Sequence, residues 1–488
     1  MSNSVSTSVA FVDIATYSAL EKALYGGNDA TTWFVSGLQK TNWFSYIPIT
    51  LRHTGTIDFN QKNVSALINR SGDYVLNVWF RCRIPQIELK HPDAAGLYMD
   101  SSIRWTRNLM HNLFEKVTLT FNDMEVQKFE SYWLDFNFQF RKNGAKRVGY
   151  RNMIGDIASM TNPVGPPATQ AGTNPLGTGG YFSVPFPFYF TEDSGVALPA
   201  GPLTFNDINI NYTLRDWKDL VVVYPGTAAV GGLTGPATGR AATKSDVYVA
   251  GTSNAPALID PSTNAHYVIV HKDERAKIGK SPRDVLIHQV QQTQVTPFKD
   301  ISTQSSFDLR LSYSVVLFCF AALNNSISKV NGGVQGAEWS NYTTEPNYAG
   351  LDPIAYTSLI YENSTRLSQG SDYYSLIHPD LMLDASPDQT GYHIWSYSIK
   401  GFNPLLPAGS TNYSLLTNVS IQHDMSPAAK AAAGVDATAV DSAGNALQYP
   451  NTSGVLAEFK QSFNHILCAR NWNVIRYSVG SISFPPLA

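Results

Sequence analysis

Residues 71–85, SGDYVLNVWFRCRIP, carry the pattern that decides the fold. From Tyr74 to Ile84 every second side chain is apolar, and the positions between them include Asn77 and Arg81. Successive side chains of a β-strand point to opposite faces of its sheet. The pattern therefore predicts a strand with one face buried in a core.

The same alternation recurs in both halves of the chain, which predicts a protein built mainly from β-strands. Clear examples lie at residues 117–121, 208–214, 307–315 and 395–399. Stretches rich in Pro, Gly, Ala and Thr separate such strands and are expected to form long loops. They cover residues 161–180, 224–262 and 424–453. Two β-sandwiches joined near residue 280 account for these features.

Helical patterning is scarce along the chain. Asp13 is expected to cap a short helix with apolar residues from Ile14 to Leu24 on one side, and Gly26 is expected to stop it. The mixed-charge stretch at 273–285, DERAKIGKSPRDV, is a second candidate helix. Because it lies between two strand-like runs, we predict that it connects two domains.

Composition excludes several classes of function. The 488 residues contain 35 Lys and Arg against 38 Asp and Glu, and a net charge of −3 provides no global positive field for nucleic acid or an anionic membrane. Charged residues make up 15% and aromatic residues 12%, a composition that suits protein contacts. Three scattered cysteines are too few for a disulfide framework. The longest apolar run, 315–323, is too short to cross a membrane, and the N-terminus lacks the basic region of a secretory signal.

Enzymatic signatures fail on inspection. The sequence GKS at 279–281 ends like a phosphate-binding loop, but Glu274 stands where that loop requires a glycine. Cys82 and Cys319 fall on the apolar sides of their strands, where a thiol acts as a small buried hydrophobe. We therefore predict no catalytic, cofactor-binding or metal-binding residues, and no cofactor.

One segment is locally basic. It contains no acid, and its five basic residues are Arg141, Lys142, Lys146, Arg147 and Arg151. A solvated face is the ordinary interpretation of such a run. The alternative is contact with an acidic neighbouring subunit or an anionic inner layer. The adjacent acids Glu192 and Asp193 are explained by solvation of a turn.

Strings along nearly the whole chain resemble the major capsid proteins of nucleocytoplasmic large DNA viruses, particularly iridoviruses and their ascovirus and marseillevirus relatives. The matching strings follow one another in order. They include FVDIATYSALEKALYGG (11–27), WFSYIPITL (43–51), RWTRNLMHNLFEKVTLTFND (104–123), PFPFYFTEDSGVALPAGPL (185–203), DERAKIGKSPRDVLIHQVQ (273–291) and NVIRYSVGSISFPPL (473–487).

The resemblance implies an all-β fold, a double jelly roll of two tandem eight-stranded antiparallel sandwiches with long loops. It places a short N-terminal arm at residues 1–27, on the inner side of a shell. The first jelly roll is then expected at 28–272, the connector at 273–285 and the second jelly roll at 286–488.

The function implied by the resemblance is structural. Three copies are expected to form a pseudo-hexagonal trimeric capsomer, and many capsomers to tile the icosahedral shell of a large double-stranded DNA virus. The expected partners are further copies of the chain, minor capsid and penton proteins, and an inner membrane beneath the shell, without sequence-specific nucleic-acid binding. The expected location is the virion, with assembly in the host cytoplasm.

Two other functions remain open at this point. Antiparallel sandwiches with aromatic surfaces and long loops also serve as carbohydrate-binding proteins, in which exposed Trp or Tyr side chains stack on sugars. An enzyme is a more distant alternative, which several titratable side chains converging in one deep pocket would favour.

Overall fold

The chain divides into two compact units, Met1–Trp43 and Phe44–Ala488. This computed structural model describes residues 15, 18–28, 30–35, 37, 40–90, 102–164, 172, 180–224, 243–278, 282–325, 339–345, 348, 350–433, 461–478 and 480–484. In the smaller unit, helix α1 (Ala19–Leu24) begins after Ser18, which forms a capping box with Glu21. The predicted cap, Asp13, lies outside the described residues.

The larger unit consists mainly of strands, and every paired strand is antiparallel. The strands are β1 (Phe44–Thr50), β2 (Arg52–Thr54), β3 (Val64–Leu67), β4 (Tyr74–Arg83), β5 (Ile87–Leu89), β6 (Ser102–Trp105), β7 (Phe114–Phe121), β8 (Met124–Glu130), β9 (Tyr181–Pro185), β10 (Ile208–Leu214), β11 (Val221–Tyr224), β12 (Val247–Val249), β13 (Ile259–Val270), β14 (Arg283–Gln292), β15 (Thr296–Pro297), β16 (Ser305–Asp308), β17 (Ser314–Asn324), β18 (Ile354–Tyr361), β19 (Ser364–Gly370), β20 (His393–Ser396), β21 (Thr411–Asn412), β22 (Val419–Met425), β23 (Phe463–Ser478) and β24 (Ser481–Ser483).

Short helices connect these strands. They are α2 (Leu109–Asn112), α3 (Ser131–Arg141), α4 (Gly144–Ile154), α5 (Ala158–Thr161), α6 (Trp217–Leu220), α7 (Lys272–Ile278), a π-helical segment (Tyr373–Ile377) that continues into α8 (His378–Met382), and α9 (Pro427–Ala432).

The first sandwich contains two facing sheets with the strand orders β1-β13-β4-β9 and β2-β3-β10-β7-β8. Strands β1 and β2 are one stretch of chain that passes between the sheets at the buried residue Leu51. Aromatic side chains fill the space between the sheets. Phe114 lies 5.1 Å from Phe80, 5.2 Å from Phe186 and 5.6 Å from Tyr212, measured between ring centroids. These edge-to-face contacts join both sheets into one core.

The second sandwich repeats the strand order of the first. Its sheets run β14-β23-β17-β20 and β16-β22-β18-β19, with β15, β21 and β24 as short additions to the first of them. Leaving out β2, the short strands β5, β6, β11 and β12, and the three additions to the second sandwich, each sandwich has eight main strands among the described residues. Counted in chain order, the sheets of both have the orders 1-8-3-6 and 2-7-4-5. This is the strand order of a jelly roll. The all-β prediction of two tandem eight-stranded sandwiches is confirmed.

Strand β17 is buried on both faces and joins the two cores. Phe318 and Phe320 point into the core of the second sandwich, whereas Leu317 and Cys319 pack in the core cluster of the first. A strand covered on both sides needs apolar residues at every position. This explains the uninterrupted apolar run at 315–323.

Two predicted strands are shorter than expected. The alternation at 307–315 belongs to two strands, β16 and β17, which are separated at Tyr313, a residue with a positive φ of 63°. The alternation at 395–399 ends early, because β20 stops at Ser396 and Ile399 is exposed. Local alternation does not reveal such turns in the backbone.

The loop and helix predictions also need correction. The predicted loop at 224–262 contains β12 and the start of β13, and the predicted loop at 424–453 contains α9. Helices α3 and α4 were not expected. Almost every side chain of α3 is buried, so it lacks the one-sided apolar pattern by which surface helices are recognised. The mixed-charge stretch begins with α7, as predicted for a helix there.

Candidate functional site

The two sandwiches of the larger unit meet at a buried junction, which contains several buried charged and polar side chains. Strand β8 and helix α3 of the first sandwich contact the face of sheet β14-β23-β17-β20 that points away from the second core. Phe136 of α3 lies 6.0 Å from Tyr342 and 5.8 Å from Tyr392 between ring centroids. The junction therefore continues the core of the first sandwich.

Glutamine side chains join two sheet edges across the junction. Strands β8 and β14 are each the last strand of a sheet. Gln289 Nε2 donates to the carbonyl of Val126 at 2.6 Å, and the backbone N–H of Glu130 donates to Gln292 Oε1 at 2.9 Å. Exposed edges invite pairing with other chains. Here two backbone groups on the edge of β8 are satisfied by side chains of β14.

Asp135 forms the polar centre of the junction. Its carboxylate is fully buried and accepts bonds from His111 Nδ1 at 2.7 Å and Asn108 Nδ2 at 3.0 Å in the first sandwich. It also accepts bonds from the hydroxyls of Ser340 at 2.7 Å and Tyr342 at 3.0 Å. Four donors compensate for burying one charge. The carboxylate thus links the two sandwiches.

This cluster contains Ser, His and Asp but has the wrong arrangement for a nucleophile. In a catalytic triad the histidine lies between the serine and the acid. The Ser340 hydroxyl donates directly to Asp135, and His111 Nε2 lies 2.9 Å from the hydroxyl of Tyr150. Ser340 and His111 are also buried, so a substrate does not reach them.

A similar group of Ser, His and Asp in the second sandwich also lacks the arrangement of a catalytic triad. His393 Nε2 lies 2.8 Å from both Asp352 Oδ2 and Ser371 Oγ, and Ser371 also contacts Asp352. A triad uses the two different nitrogens of the histidine for its two partners. This trio therefore fixes the start of the helical segment after β19 and does not activate a serine.

A buried ion pair lies at one side of the junction. Glu192 Oε2 contacts Arg470 Nη2 at 2.5 Å and His288 Nδ1 at 3.2 Å. Burial alone would raise the pKa of Glu192, but Arg470, His288 and Arg141 together lower it. Burial and the charge of Arg470 lower the pKa of His288 to about 4. Glu192 is therefore a structural charge and not the solvated turn residue that the sequence suggested.

The basic segment is used within the chain. Arg151 Nη2 lies 2.5 Å from Asp388 Oδ2, and Arg141 Nη1 lies 3.8 Å from Glu192. Arg147 is buried and donates to the carbonyls of Gln139 and Ser386. The solvated-face interpretation is wrong for these arginines, and the sequence could not show it because Asp388 lies 237 residues from Arg151 along the chain. Contact of the segment with an acidic neighbouring subunit or an anionic inner layer stays a prediction.

The other sequence candidates are the cysteines and the GKS stretch at 279–281. Cys82, Cys319 and Cys468 are free and buried, and burial raises the pKa of each thiol. Residues 279–281 lie outside the described residues. Among the described residues, no group of three or more His, Cys, Asp or Glu side chains is arranged to hold a metal ion. The described helices are all too short or too polar to cross a membrane.

Comparison with known proteins decides the family. Residues 32–251 match the family described as the major capsid protein N-terminus, and residues 274–483 match the large eukaryotic DNA virus major capsid protein family. A major capsid protein of Costelytra zealandica iridescent virus is 39% identical over the full length of both chains. That of Invertebrate iridescent virus 3 is 40% identical, again with both chains covered completely.

The chain belongs to the major capsid protein family of large eukaryotic DNA viruses. A more distant relative in lymphocystis disease virus 1 is 37% identical, with 99% of this chain and 98% of the relative covered. Membership makes this capsid protein a structural component of a virion. The comparisons give no support to the carbohydrate-binding alternative.

Solved structures agree on the fold of this capsid protein. The quasi-atomic model of the PBCV-1 virus capsid aligns with a TM-score of 0.63 at 19% identity, covering 94% of this chain and all of that chain. The Faustovirus major capsid protein aligns with a TM-score of 0.64 at 11% identity, covering 91% and 92%. At such low identity the likeness concerns the fold alone, and that fold is the double jelly roll.

The residues of the junction were missed by sequence reasoning. Asp135 stands in an apolar segment, and its partners lie near positions 110 and 340, so no local spacing connects them. One usable signal was present. A single acid among the aromatic residues of YWLDFNFQF indicates a buried charge that must have partners.

Proposed function

We propose that this capsid protein forms a homotrimeric, pseudo-hexagonal capsomer and that these capsomers tile an icosahedral shell. The observation that carries the proposal is the repeated strand order of the two sandwiches. Three chains supply six units of the same topology, which suits a six-sided tile built from a closed three-fold assembly.

We also propose the domain boundaries that the sequence resemblance implies. We place the arm at residues 1–27, the first jelly roll at 28–272, the connector at 273–285 and the second jelly roll at 286–488. The main strands from β1 to β13 and from β14 to β23 support a division into two jelly rolls, since no sheet contains strands of both sets among the described residues. Strand β14 begins at Arg283, so the last three residues of the proposed connector already belong to a strand. Helix α7 stands between the two sets.

The remaining partners belong to the proposal as well. We infer that minor capsid and penton proteins bind the assembled capsomers, that an inner membrane lies beneath the shell, and that assembly takes place in the host cytoplasm. We also propose that the chain does not bind nucleic acid directly in a sequence-specific way, because its net charge of −3 does not attract a polyanion. We also propose that the chain catalyses no reaction, because both Ser-His-Asp groupings described above hold the fold together.

The oligomeric state of the purified chain tests the proposal directly. Multi-angle light scattering is expected to give three times the 53.5 kDa mass of one chain, without dependence on concentration in the micromolar range. Negative-stain images of the same peak are expected to show six-sided particles. A stable monomer at high concentration would refute the trimeric capsomer.

The arm can be tested separately in assembled particles. Antibodies against residues 1–27 are expected to leave intact virions unlabelled and to label virions that have been opened. Labelling of intact particles would place the arm outside the shell.

A further inference from the structure

The two sandwiches of this chain have the same strand order, so the surfaces that meet at the junction can be compared with the equivalent surfaces that stay exposed. At the junction, the fifth strand of the first sandwich, β8, runs directly into helix α3, and both pack on the outer face of sheet β14-β23-β17-β20. The outer face is the side that points away from the sandwich's own core. Each of these elements has a counterpart in the other sandwich.

The counterpart of β8 and α3 is unoccupied in the single chain. The fifth strand of the second sandwich, β19, is followed by helical turns over Tyr373–Ile377 and His378–Met382, which we call the second-sandwich helix. Leu376 is 56% exposed and Leu381 is 70% exposed, and Ile377 and Met382 beside them are also exposed. By contrast, α3 buries nearly all of its side chains.

The counterpart of the sheet at the junction is exposed too. We call it the first-sandwich face, which is the outer face of sheet β1-β13-β4-β9. Tyr46, Trp79 and His266 form an aromatic group on it, with ring centroids 5.7 Å apart for Tyr46 and His266 and 4.6 Å for Trp79 and His266. Tyr46 is 61% exposed, and Phe44 on the same strand is exposed as well.

The charges of the two surfaces are complementary. Asp372, Asp380 and Asp384 are exposed on and beside the second-sandwich helix, and the sequence contains no Lys or Arg between 367 and 399. The first-sandwich face carries the exposed side chain of Arg81, which stacks over the ring of Tyr181 at 3.7 Å. Opposite charges at the rim guide two surfaces into one orientation.

We propose that the second-sandwich helix of one copy packs on the first-sandwich face of the next copy, repeating between chains the contact that β8 and α3 make within a chain. The occupant of each surface is thus a second copy of this chain, in a heterologous contact that closes into a ring of three. This inference rests on the proposed trimeric capsomer and identifies the surfaces that build it. Leu376 and Leu381 insert among the aromatic side chains of the face, as central apolar anchors do in stable interfaces.

Charged substitutions at the two surfaces test the contact. The double variant L376D/L381D and the single variant Y46D are each expected to lower the trimer fraction at equal concentration by at least about tenfold. Leu351→Asp is the matched control, since Leu351 is 53% exposed and lies on neither surface. Circular dichroism and thermal melting establish that each variant remains folded.

Cross-linking between tagged copies provides a second measurement that does not depend on destabilising the protein. Chains with Tyr46→Cys and chains with Leu381→Cys are co-expressed and treated with a short bis-maleimide. A cross-linked product containing both tags is expected, whereas Leu351→Cys with Tyr46→Cys is expected to give none. The native cysteines are buried and should not react.

The possible results separate this inference from the proposed function. A wild-type trimer whose variants also form trimers, without the expected cross-link, would overturn the inference and leave the capsomer intact. Variants that form trimers but no shells would also overturn it, because the helix would then lie between capsomers. A wild-type monomer would overturn both proposals.

Discussion

Gln289 Nε2 donates a 2.6 Å hydrogen bond to the carbonyl oxygen of Val126 and so joins the edge strands of two different sheets. The other end of the same amide, Oε1, accepts a 2.8 Å bond from Asn473 Nδ2. The amide therefore satisfies a backbone acceptor on β8 and a side-chain donor on β23. The sandwiches are held at their edges by side chains and not by a continuous strand ladder.

Replacing this amide by a carboxylate should weaken the junction. In Gln289→Glu the donor to Val126 is lost and a negative charge faces a carbonyl oxygen. We expect the free energy of unfolding to fall by about 1 to 3 kcal/mol. Urea denaturation measures the change, with Gln304→Glu as an exposed control that should alter stability little. Equal effects of the two substitutions would show that the Val126 bond is unimportant.

The substitution Asp135→Asn tests the centre of the junction. It keeps the shape of the side chain but replaces one acceptor oxygen by a donor, although all four neighbours donate to the native carboxylate. A loss of roughly 3 kcal/mol in unfolding free energy is expected. Asp384→Asn on the surface is the control. A loss below about 1 kcal/mol would mean that the charge of Asp135 does not hold the sandwiches together.

Alanine substitutions at Gly391 and Gly149 are expected to have opposite effects on the stability of the protein. A Cβ at Gly391 would lie 2.0 Å from the carbonyl oxygen of Tyr342, and its φ of +89° disfavours other residues. Gly391→Ala is expected to destabilise the protein by about 3 kcal/mol. Gly149 lies in α4 with no atom near its missing Cβ, so Gly149→Ala should add roughly 0.5 to 1 kcal/mol. Thermal melting of both variants measures these changes, and a tolerated alanine at 391 would contradict the close approach to Tyr342.

Acid should destabilise the second sandwich through its buried histidines. Burial lowers the pKa of His465 to about 3, and burial, with its neighbours His465 and His393, lowers the pKa of His423 well below its ordinary value. The rings of His465 and His423 lie 5.1 Å apart, with Phe307 stacked on His465 at 4.2 Å. His423 Nδ1 bonds the Thr357 hydroxyl, so a carboxylate is not the partner at that nitrogen.

The direction of the pH effect follows from these shifts. At His465 the unfolded chain binds a proton near pH 6.5 that the folded chain does not bind until about pH 3, so this stability is complete above pH 6.5 and decreases as the pH falls toward 3. His465 contributes about 1.4 kcal/mol per pH unit in that range, and His423 acts in the same direction. Unfolding free energies at pH 7.5, 6 and 5 measure the slope. His465→Phe should flatten it and the exposed-site variant His271→Gln should not, and an unchanged slope in His465→Phe would refute the assignment.

The strands were the predictable part of this fold, because a sandwich strand with one buried face has apolar and polar residues in alternation along the sequence. Strand β10 alternates buried and half-buried residues from Ile208 to Leu214 as expected. In β4 the alternation holds from Val78 to Cys82, but a bulge at Leu76 shifts the register, and Val75 is buried in its place. A bulge adds one residue to a strand without changing its composition.

The junction could not be predicted, because its contacts join residues that are far apart in sequence. The pair Arg151 and Asp388 illustrates this, as does the bond from Ser340 to Asp135. Helix α3 is covered by both sandwiches, which removes the polar side that normally identifies a helix. A basic run with no local acid therefore suggested a surface, although the folded chain brings Asp388 to it from the other sandwich and Glu192 from a distant part of the same sandwich.

A cryo-electron microscopy reconstruction of the assembled shell tests the central claim most directly. We expect capsomers made of three chains, each contributing two jelly rolls of the same strand order, with the second-sandwich helix of one chain lying on strands β1, β13 and β4 of the next. A shell in which each six-sided unit contains another number of chains, or in which one chain contributes a single sandwich to its unit, would contradict it.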